Sequence, residues 1–423
     1  MKKAFGLILA ALGMMVGLSR PSSILCTWPR PFWVPSRHTI SVPWSRWLPI
    51  QVTAEPPAKV VIDHREAAGW KSLEHRSWNF SVTRDGAYRL RYRMLGMIPW
   101  GTSWVRASSP LYVVPGGESI GIMVRTKGLI IGALQPIRSA HGIVVDPAEQ
   151  AGLKVGDLIT AVDHAPLQNR QELQHALTRA GRLNRSVELT VTGEHTTNVR
   201  VKPAWSLSDR SYELGASFKS GVAGVGTLTY VRPQSGQFGA LGHSLTDGLT
   251  KVPAPVSFGR IMGANIIGVV TAHENHPGQK IGILAAKGRV LGRVTANGPF
   301  GIRGQLTRWP RTYLHPIPVA YPDEVHTGPA TLITVLHGQR MVDYRIRIIK
   351  AFPQWRPRTK GILFEVTDPR MLAKTGGIVQ GMSGSPIVQN GRLAGAVTHV
   401  MVGRPWIGYG CYAVWMMGLK PNT

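Results

Sequence analysis

Short strand-like segments, separated by glycine and proline, follow one another along most of this chain. The 423 residues include 48 glycines and 31 prolines, and 43% of all residues are hydrophobic. Because glycine and proline interrupt helices and form turns, this composition favours short strands over long helices. A chain of this length also exceeds one ordinary core, so we expect a mainly β protein with more than one domain.

The first twenty residues have the charge pattern of an export signal. Two lysines precede an uncharged stretch from Ala4 to Leu18, which Arg20 ends. This stretch is shorter than the about 20 apolar residues that cross a bilayer as a helix. We therefore predict a signal peptide or membrane anchor at residues 1–20, with a weak cleavage site after Ser19. A buried N-terminal helix is the alternative.

The chain is strongly basic, with a formal net charge of +27 at pH 7. Such a charge attracts anionic surfaces such as phospholipid headgroups or nucleic acid. The 34 arginines and 15 lysines are spread over the whole chain without a run of five. No zinc-finger, RRM or KH pattern accompanies them. We therefore expect a generally basic surface, with an anionic membrane surface as a candidate partner and without a nucleic-acid site.

Changes in composition divide the rest of the chain into three regions. Residues 21–105 are rich in tryptophan and proline and contain alternating stretches such as Tyr88–Arg93, which predict a small β module. Residues 106–203 combine strand-like segments with one helix around Glu172–Ala180. Residues 204–423 are again glycine-rich and strand-like, a spacing that suits a pair of β-barrels.

The middle region contains the run P-A-x-x-A-G-L-x-x-G-D-x-I at Pro147–Ile159, which resembles PDZ domains of the bacterial protease-associated type. A PDZ domain binds an extended peptide along a sheet edge, and a tight loop holds the terminal carboxylate of that peptide. We interpret Ser119–Ile122 as this loop, beside the predicted helix. The candidate peptide-binding residues are Ile120, Gly121, Ile122, Leu173 and Leu177. The alternative is that the two isoleucines are core residues of a strand.

The most specific chemical signal is the turn G-M-S-G-S-P at Gly381–Pro386. A G-x-S-G-x-P turn can present a serine hydroxyl at its apex while the N–H groups of Gly381 and Ser383 point at one spot and stabilise an oxyanion. We therefore predict Ser383 as a nucleophile, in a turn that looks like that of chymotrypsin-type peptidases. Ser385, one step beyond the apex, is a weaker candidate, and a hairpin without chemistry is the alternative.

A serine nucleophile needs an adjacent base at neutral pH, usually a histidine. His243 follows a turn of small residues, His273 superficially echoes the T-A-x-H of trypsins, and His399 lies on a strand-like segment and is interpreted as structural. The histidines lack H-E-x-x-H spacing, and Cys26 and Cys411 are far apart in the sequence. We therefore expect no metal, no cofactor and no disulfide framework.

Five segments of the C-terminal part carry a family resemblance. They are G-A-L-G-H at 239–243, Gly221–Leu228, Val366–Asp368, Thr375–Pro386 and Gly395–Val400. Together they resemble the stage IV B sporulation peptidases of endospore-forming bacteria, which are PDZ-containing serine peptidases. The resemblance extends from about Tyr112 to the C-terminus. It therefore covers both the predicted PDZ domain and the predicted peptidase domain.

The resemblance implies a serine endopeptidase with His243 as general base, Ser383 as nucleophile and Asp368 as the carboxylate that orients the histidine. Asp247, four residues after His243, is the competing carboxylate. We favour Asp368 because it lies where a predicted strand ends in a turn, whereas Asp247 precedes Gly248 as an ordinary turn residue.

The resemblance also implies a biological role. Such a peptidase is exported across the forespore membrane into the space between the two sporulation membranes, where it is membrane-anchored or released. It cuts itself and a regulatory subunit of a membrane-embedded metalloprotease, which then activates a late sigma factor. A general quality-control PDZ protease and a non-catalytic PDZ adaptor are the alternatives. The expected fold is mainly β, with a signal or anchor segment, a small β module, a PDZ domain and a chymotrypsin-like double β-barrel peptidase domain.

Overall fold

The computed structural model describes residues 32–43, 49–73, 77–139, 142–192, 195–246, 256–284, 290–307, 315–354 and 356–418. These residues belong to two compact units, one ending at Leu111 and the other beginning at Tyr112. The predicted export segment, Cys26 and Asp247 lie outside the described residues. Within the described ranges, no helix is both long and apolar enough to cross a membrane.

The described residues of the first unit form nine strands. They are β1 (Phe32–Pro35), β2 (Thr39–Pro43), β3 (Ile50–Glu55), β4 (Val60–Ile62), β5 (Arg65–Glu66), β6 (Lys71–Ser72), β7 (Ser77–Val82), β8 (Gly86–Met94) and β9 (Ile98–Ser108). One sheet has the order β1-β9-β8-β3-β6 and the other β2-β7-β4-β5, and buried residues of both sheets form one core. In β8, Tyr88, Leu90 and Tyr92 face this core and Arg89 and Arg91 face outwards, which explains the alternating sequence.

In the part of the second unit that the structure describes, ten strands and two helices come first. They are β10 (Tyr112–Pro115), β11 (Ser119–Leu134), β12 (Ile137–Arg138), β13 (Val144–Val145), α1 (Pro147–Gln150), β14 (Leu158–Val162), β15 (Ala165–Pro166), α2 (Arg170–Arg182), β16 (Val187–Thr192), β17 (Thr196–Val201), β18 (Ala204–Ser206) and β19 (Ser211–Glu213). The Asn169 side chain caps α2 by accepting a hydrogen bond from the Glu172 backbone, 3.0 Å away. Leu173, Leu177 and Ala180 then bury one face of the predicted helix.

The remaining strands and helices complete the second unit. They are β20 (Ala216–Val231), β21 (Gln237–Leu241), β22 (Val256–Val270), β23 (Gln279–Leu284), β24 (Val290–Gly298), β25 (Gly301–Leu306), β26 (Ile317–Pro318), β27 (Gly328–Val335), β28 (Met341–Ala351), β29 (Ile362–Val366), α3 (Pro369–Thr375), β30 (Pro386–Gln389), β31 (Arg392–Met401), β32 (Arg404–Tyr412) and α4 (Ala413–Met416). Short 3₁₀ turns occur at Pro57–Lys59 and Pro322–Glu324.

Two six-stranded barrels can be traced through these pairings. The first barrel runs β11-β22-β24-β25-β21-β20 and closes where β20 pairs with β11. The second barrel closes in the order β27-β28-β29-β32-β31-β30. Together with the strand content of the first unit, this confirms the expected mainly β fold with a double-barrel peptidase domain.

The first barrel shares two strands with the predicted PDZ domain. The beginning of β11 lies in the barrel, and its end, from Leu129, pairs with β14 of the PDZ region. In β20 the order is reversed, since Ala216–Lys219 pairs with the end of β11 and the later residues form the barrel. The two regions are therefore continuous along two adjacent strands, although the sequence predicted a boundary at residues 203–204.

Candidate active site

The predicted nucleophile and base meet between the two barrels. Ser383 lies in the turn that precedes β30 of the second barrel, and His243 follows β21 of the first. The distance between His243 Nε2 and Ser383 Oγ is 2.9 Å, and both side chains are half-buried. Two residues that are 140 positions apart in the sequence therefore form the contact that an activated serine requires.

A backbone carbonyl fixes the tautomer of His243. The carbonyl oxygen of Ser244 lies 2.9 Å from His243 Nδ1, and a carbonyl can only accept a hydrogen bond. Nδ1 therefore carries the proton, which leaves Nε2 free to accept the Ser383 hydroxyl proton. This is the protonation state that a general base needs in order to activate a serine.

The turn around Ser383 is shaped by two glycines. Gly381 and Gly384 have φ angles of +90° and +92°, in a region that favours glycine. A Cβ atom on Gly384 would lie only 2.2 Å from the Thr227 carbonyl oxygen, so a side chain there would displace β20. These two positions explain why the sequence reads G-M-S-G around the nucleophile.

The N–H groups of Gly381 and Ser383 donate no hydrogen bond to any described residue. The carbonyl of Gln380 accepts a hydrogen bond of 2.9 Å from the Lys280 backbone N–H. Because the C=O and N–H groups of a trans peptide point in opposite directions, the Gly381 N–H points away from β23. Neither donor has an acceptor within the described residues, and the role of both in stabilising an oxyanion beside Ser383 stays a prediction.

Asp368 occupies a different place from the one that the sequence predicted. It caps α3, and its fully buried carboxylate accepts hydrogen bonds from the backbone N–H of Arg370, at 2.9 Å, and of Arg345, at 3.2 Å. The Arg370 guanidinium donates two more, at 3.0 and 2.8 Å. Hydrogen bonding from the Arg370 side chain holds the pKa of Asp368 well below its usual range.

The structure therefore contradicts the prediction that Asp368 orients His243. No hydrogen bond joins the two side chains, since His243 Nδ1 is bound to Ser244 and the Asp368 carboxylate is held by arginine residues. The carbonyl of Ser244 takes the position that a carboxylate was expected to fill. The sequence could not reveal this group, because every residue has a main-chain carbonyl and no residue type marks the one that binds His243.

The other two candidate histidines do not contact Ser383. His273 lies in a turn in which its backbone pairs with that of His276. The ring of His399 lies 5.8 Å from the ring of His243, between centroids. Desolvation, followed by the neighbouring His243 and Lys360, lowers the pKa of His399 and keeps it neutral at pH 7. His399 therefore lies at the site as an uncharged neighbour of the base.

The predicted peptide-binding loop does not exist as such. At Gly121 the backbone pairs with β20 on one side and β22 on the other, so no sheet edge is free. Ile120 and Ile122 belong to the core of the first barrel, and the alternative that they are core residues is correct. Leu173 and Leu177 lie in the separate core of the PDZ region. The sequence therefore placed the loop on the wrong strand.

The fold and the site together define a serine peptidase with a double β-barrel. Residues 210–417 match the family model described as SpoIVB peptidase S55, and residues 120–202 match the model of the PDZ domain. Both matches agree with the sequence resemblance to PDZ-containing serine peptidases of this family, and the peptidase match covers the double-barrel region.

No curated protein matches the chain. Among solved structures, it is similar to the inactive form of a serine-to-alanine mutant of Rv3671c from M. tuberculosis H37Rv. That match has 12% sequence identity and a TM-score of 0.26, and it covers 46% of this chain and 78% of that chain.

Proposed function

We propose that this serine peptidase is a signalling endopeptidase of sporulation, which cuts itself and few other proteins. The observation that carries the catalytic part is the hydrogen bond of 2.9 Å between His243 and Ser383, beside two N–H groups that have no acceptor among the described residues. The family description supports the sporulation role. Export across the forespore membrane, the regulatory subunit of a membrane-embedded metalloprotease, late sigma-factor activation and an anionic membrane surface stay predictions.

The geometry supports acyl transfer through Ser383. His243 Nε2 takes the hydroxyl proton while Ser383 Oγ attacks the peptide carbonyl, and the N–H groups of Gly381 and Ser383 stabilise the resulting oxyanion. The imidazolium then gives its proton to the leaving amine. Water, deprotonated by the same histidine, hydrolyses the acyl-enzyme and restores Ser383.

A signalling peptidase and a quality-control protease differ in the number of sites that they cut. We expect the purified chain to cleave itself at one or two sites and to leave denatured casein largely intact. The measurement is mass spectrometry of the products over time, with Ser383→Ala as the control. Extensive digestion of casein at many positions would favour the quality-control protease. Absence of any Ser383-dependent cleavage would favour the adaptor.

The PDZ region offers a free sheet edge at a place that the sequence did not indicate. One edge of Ala216–Phe218 pairs with β11, and no described strand pairs with the other. Ala216 and Phe218 pack on the core that contains Leu173 and Leu177, and Gly215 before them has a φ of +77°. The Gln174 side chain of α2 reaches the Tyr212 carbonyl at 2.9 Å. This supports a peptide-binding groove between β20 and α2.

We expect Ala216→Glu to weaken the binding of peptides with a free C-terminus by at least about tenfold, since a carboxylate there repels the ligand carboxylate and blocks the groove. The measurement is the affinity by calorimetry for a pool of peptides, prepared once with a free C-terminal carboxylate and once with a C-terminal amide. Gln150→Glu adds the same charge at an exposed position of α1 and should bind like wild type. Equal affinity of the Ala216→Glu and wild-type proteins would place the groove elsewhere.

A further inference from the structure

Lys280 is a buried lysine beneath the nucleophile turn. It lies at the start of β23, only 2% of its surface is exposed, and no described carboxylate forms an ion pair with it. Its amine lies 2.8 Å from the Thr334 hydroxyl and 3.5 Å from the Ser119 hydroxyl. A lysine is rarely buried to this extent without a charged partner, so its position calls for a functional explanation.

A chain of hydroxyl groups connects this amine to the candidate oxyanion hole. Thr334 of β27 contacts the Ser385 hydroxyl at 2.9 Å, and Ser385 contacts the Thr227 hydroxyl at 3.4 Å. The Thr227 hydroxyl then donates to the carbonyl of Gly381 at 2.9 Å. The amine therefore reaches both ends of the nucleophile turn through side chains from both barrels.

The backbone and the aliphatic stem of Lys280 hold the same turn. Its N–H donates to the Gln380 carbonyl at 2.9 Å, and the N–H of Gln380 donates to the Gly278 carbonyl at 2.8 Å. A Cβ atom on Gly381 would lie 3.2 Å from the Cβ of Lys280, so the stem already packs against this glycine. Lys280 thus contacts the peptide whose N–H is free to bind an oxyanion.

We propose that Lys280 is a positioning residue that fixes the nucleophile turn, and thereby the orientation of the Gly381 and Ser383 N–H groups. The inference rests on the proposed roles of Ser383 and the two N–H donors. Lys280 does not touch the substrate. It acts through Thr334, Ser385 and the Gln380–Gly381 peptide.

The amine is suited to this role in its neutral form. Burial lowers the pKa of Lys280 to about 7. A neutral amine both donates and accepts hydrogen bonds among hydroxyl groups, whereas a buried ammonium would have no carboxylate partner among the described residues. Two titratable groups lie on neighbouring segments. Glu118, next to Ser119, has a pKa that is raised by burial, and His243 is hydrogen-bonded to Ser383 of the nucleophile turn. We expect protonation of Lys280 to loosen the turn and lower activity below neutral pH.

Lys280→Met tests the role, because methionine preserves the packing on Gly381 and removes the amine. We expect kcat for p-nitrophenyl butyrate to fall by about tenfold to a hundredfold with little change in KM, since a misplaced oxyanion donor affects mainly the transition state. Binding of a peptide aldehyde, which forms an oxyanion on Ser383, should weaken by the same factor. Below pH 7, log(kcat/KM) should fall more steeply in wild type than in Lys280→Met, because only wild type carries the buried amine.

Two matched variants of Thr334 test the same chain without touching the lysine. Thr334→Ser keeps the hydroxyl and should be nearly as active as wild type, whereas Thr334→Val should resemble Lys280→Met. Folded Lys280→Met or Thr334→Val protein with wild-type kcat and aldehyde affinity would overturn the inference. Wild type and Ser383→Ala, measured in parallel, test the proposed catalytic role separately.

Discussion

Ser383→Ala is expected to abolish self-cleavage and ester hydrolysis while leaving the fold unchanged. The hydroxyl is half-buried, and its one side-chain hydrogen bond in the described residues goes to His243. Removal of the nucleophile or its base lowers kcat on the order of 10⁶-fold in serine peptidases with this chemistry. His243→Ala should therefore be equally inactive, and the double variant no worse than either single one. Product formation measures the loss of activity, and thermal unfolding of the same samples checks that the fold is unchanged.

Ser244→Ala is the matched control for this experiment. The Ser244 hydroxyl donates to Gly298, but the group that holds His243 is its main-chain carbonyl, which alanine retains. We expect this variant to keep most of the wild-type activity. Self-cleavage by purified Ser383→Ala protein at the wild-type rate would refute the assignment of the nucleophile.

Asp368→Asn is expected to destabilise the protein and to spare catalysis by the folded fraction. Asparagine keeps an N-cap but loses the charge-assisted bonds to the exposed Arg370 side chain and the second carboxylate oxygen at the Arg345 N–H. The loss should lower the free energy of unfolding by about 1–3 kcal/mol. A carboxylate that orients the catalytic histidine would instead cost about 10⁴-fold in turnover. Active-site titration followed by turnover per active site separates the two cases.

The same pair predicts a pH dependence of stability. The pKa of Asp368 is lowered in the folded state, so its stabilising effect is complete above the unfolded pKa of about 3.9 and is lost as pH falls towards the folded value. Below about pH 4 the melting temperature of wild type should fall more steeply than that of Asp368→Asn. Asp343→Asn, at a nearby exposed site, should follow wild type. Parallel melting curves for wild type and Asp368→Asn would show that Asp368 does not contribute in this way.

Local sequence patterns predicted the parts of this protein that depend on neighbouring residues. The alternation in β8 follows from one buried face, and Asn169 with Glu172 begins α2 where the helix was expected. The turn around Ser383 was recognisable because its glycines adopt φ angles that other residues avoid. The family resemblance, not spacing, selected His243.

The errors arose where the partner of a residue comes from a distant part of the chain. The alternation at Ile120 looks the same in an edge strand and in a central strand, and its neighbours in β20 and β22 follow more than a hundred residues later. Asp368 precedes a proline, which marks a helix N-terminus as readily as a catalytic carboxylate. Lys280 carries no motif at all, since its burial depends on both barrels.

The sharing of β11 and β20 limits how this protein can be taken apart or rebuilt. A fragment ending at residue 203 lacks the strand segment Ala216–Lys219, and a peptidase fragment starting there lacks the beginning of β11, which closes the first barrel. We therefore expect neither fragment to fold as an independent domain. Exchange of the PDZ region between relatives therefore has to keep β11 and β20 unbroken where they pass from the barrel into the PDZ region.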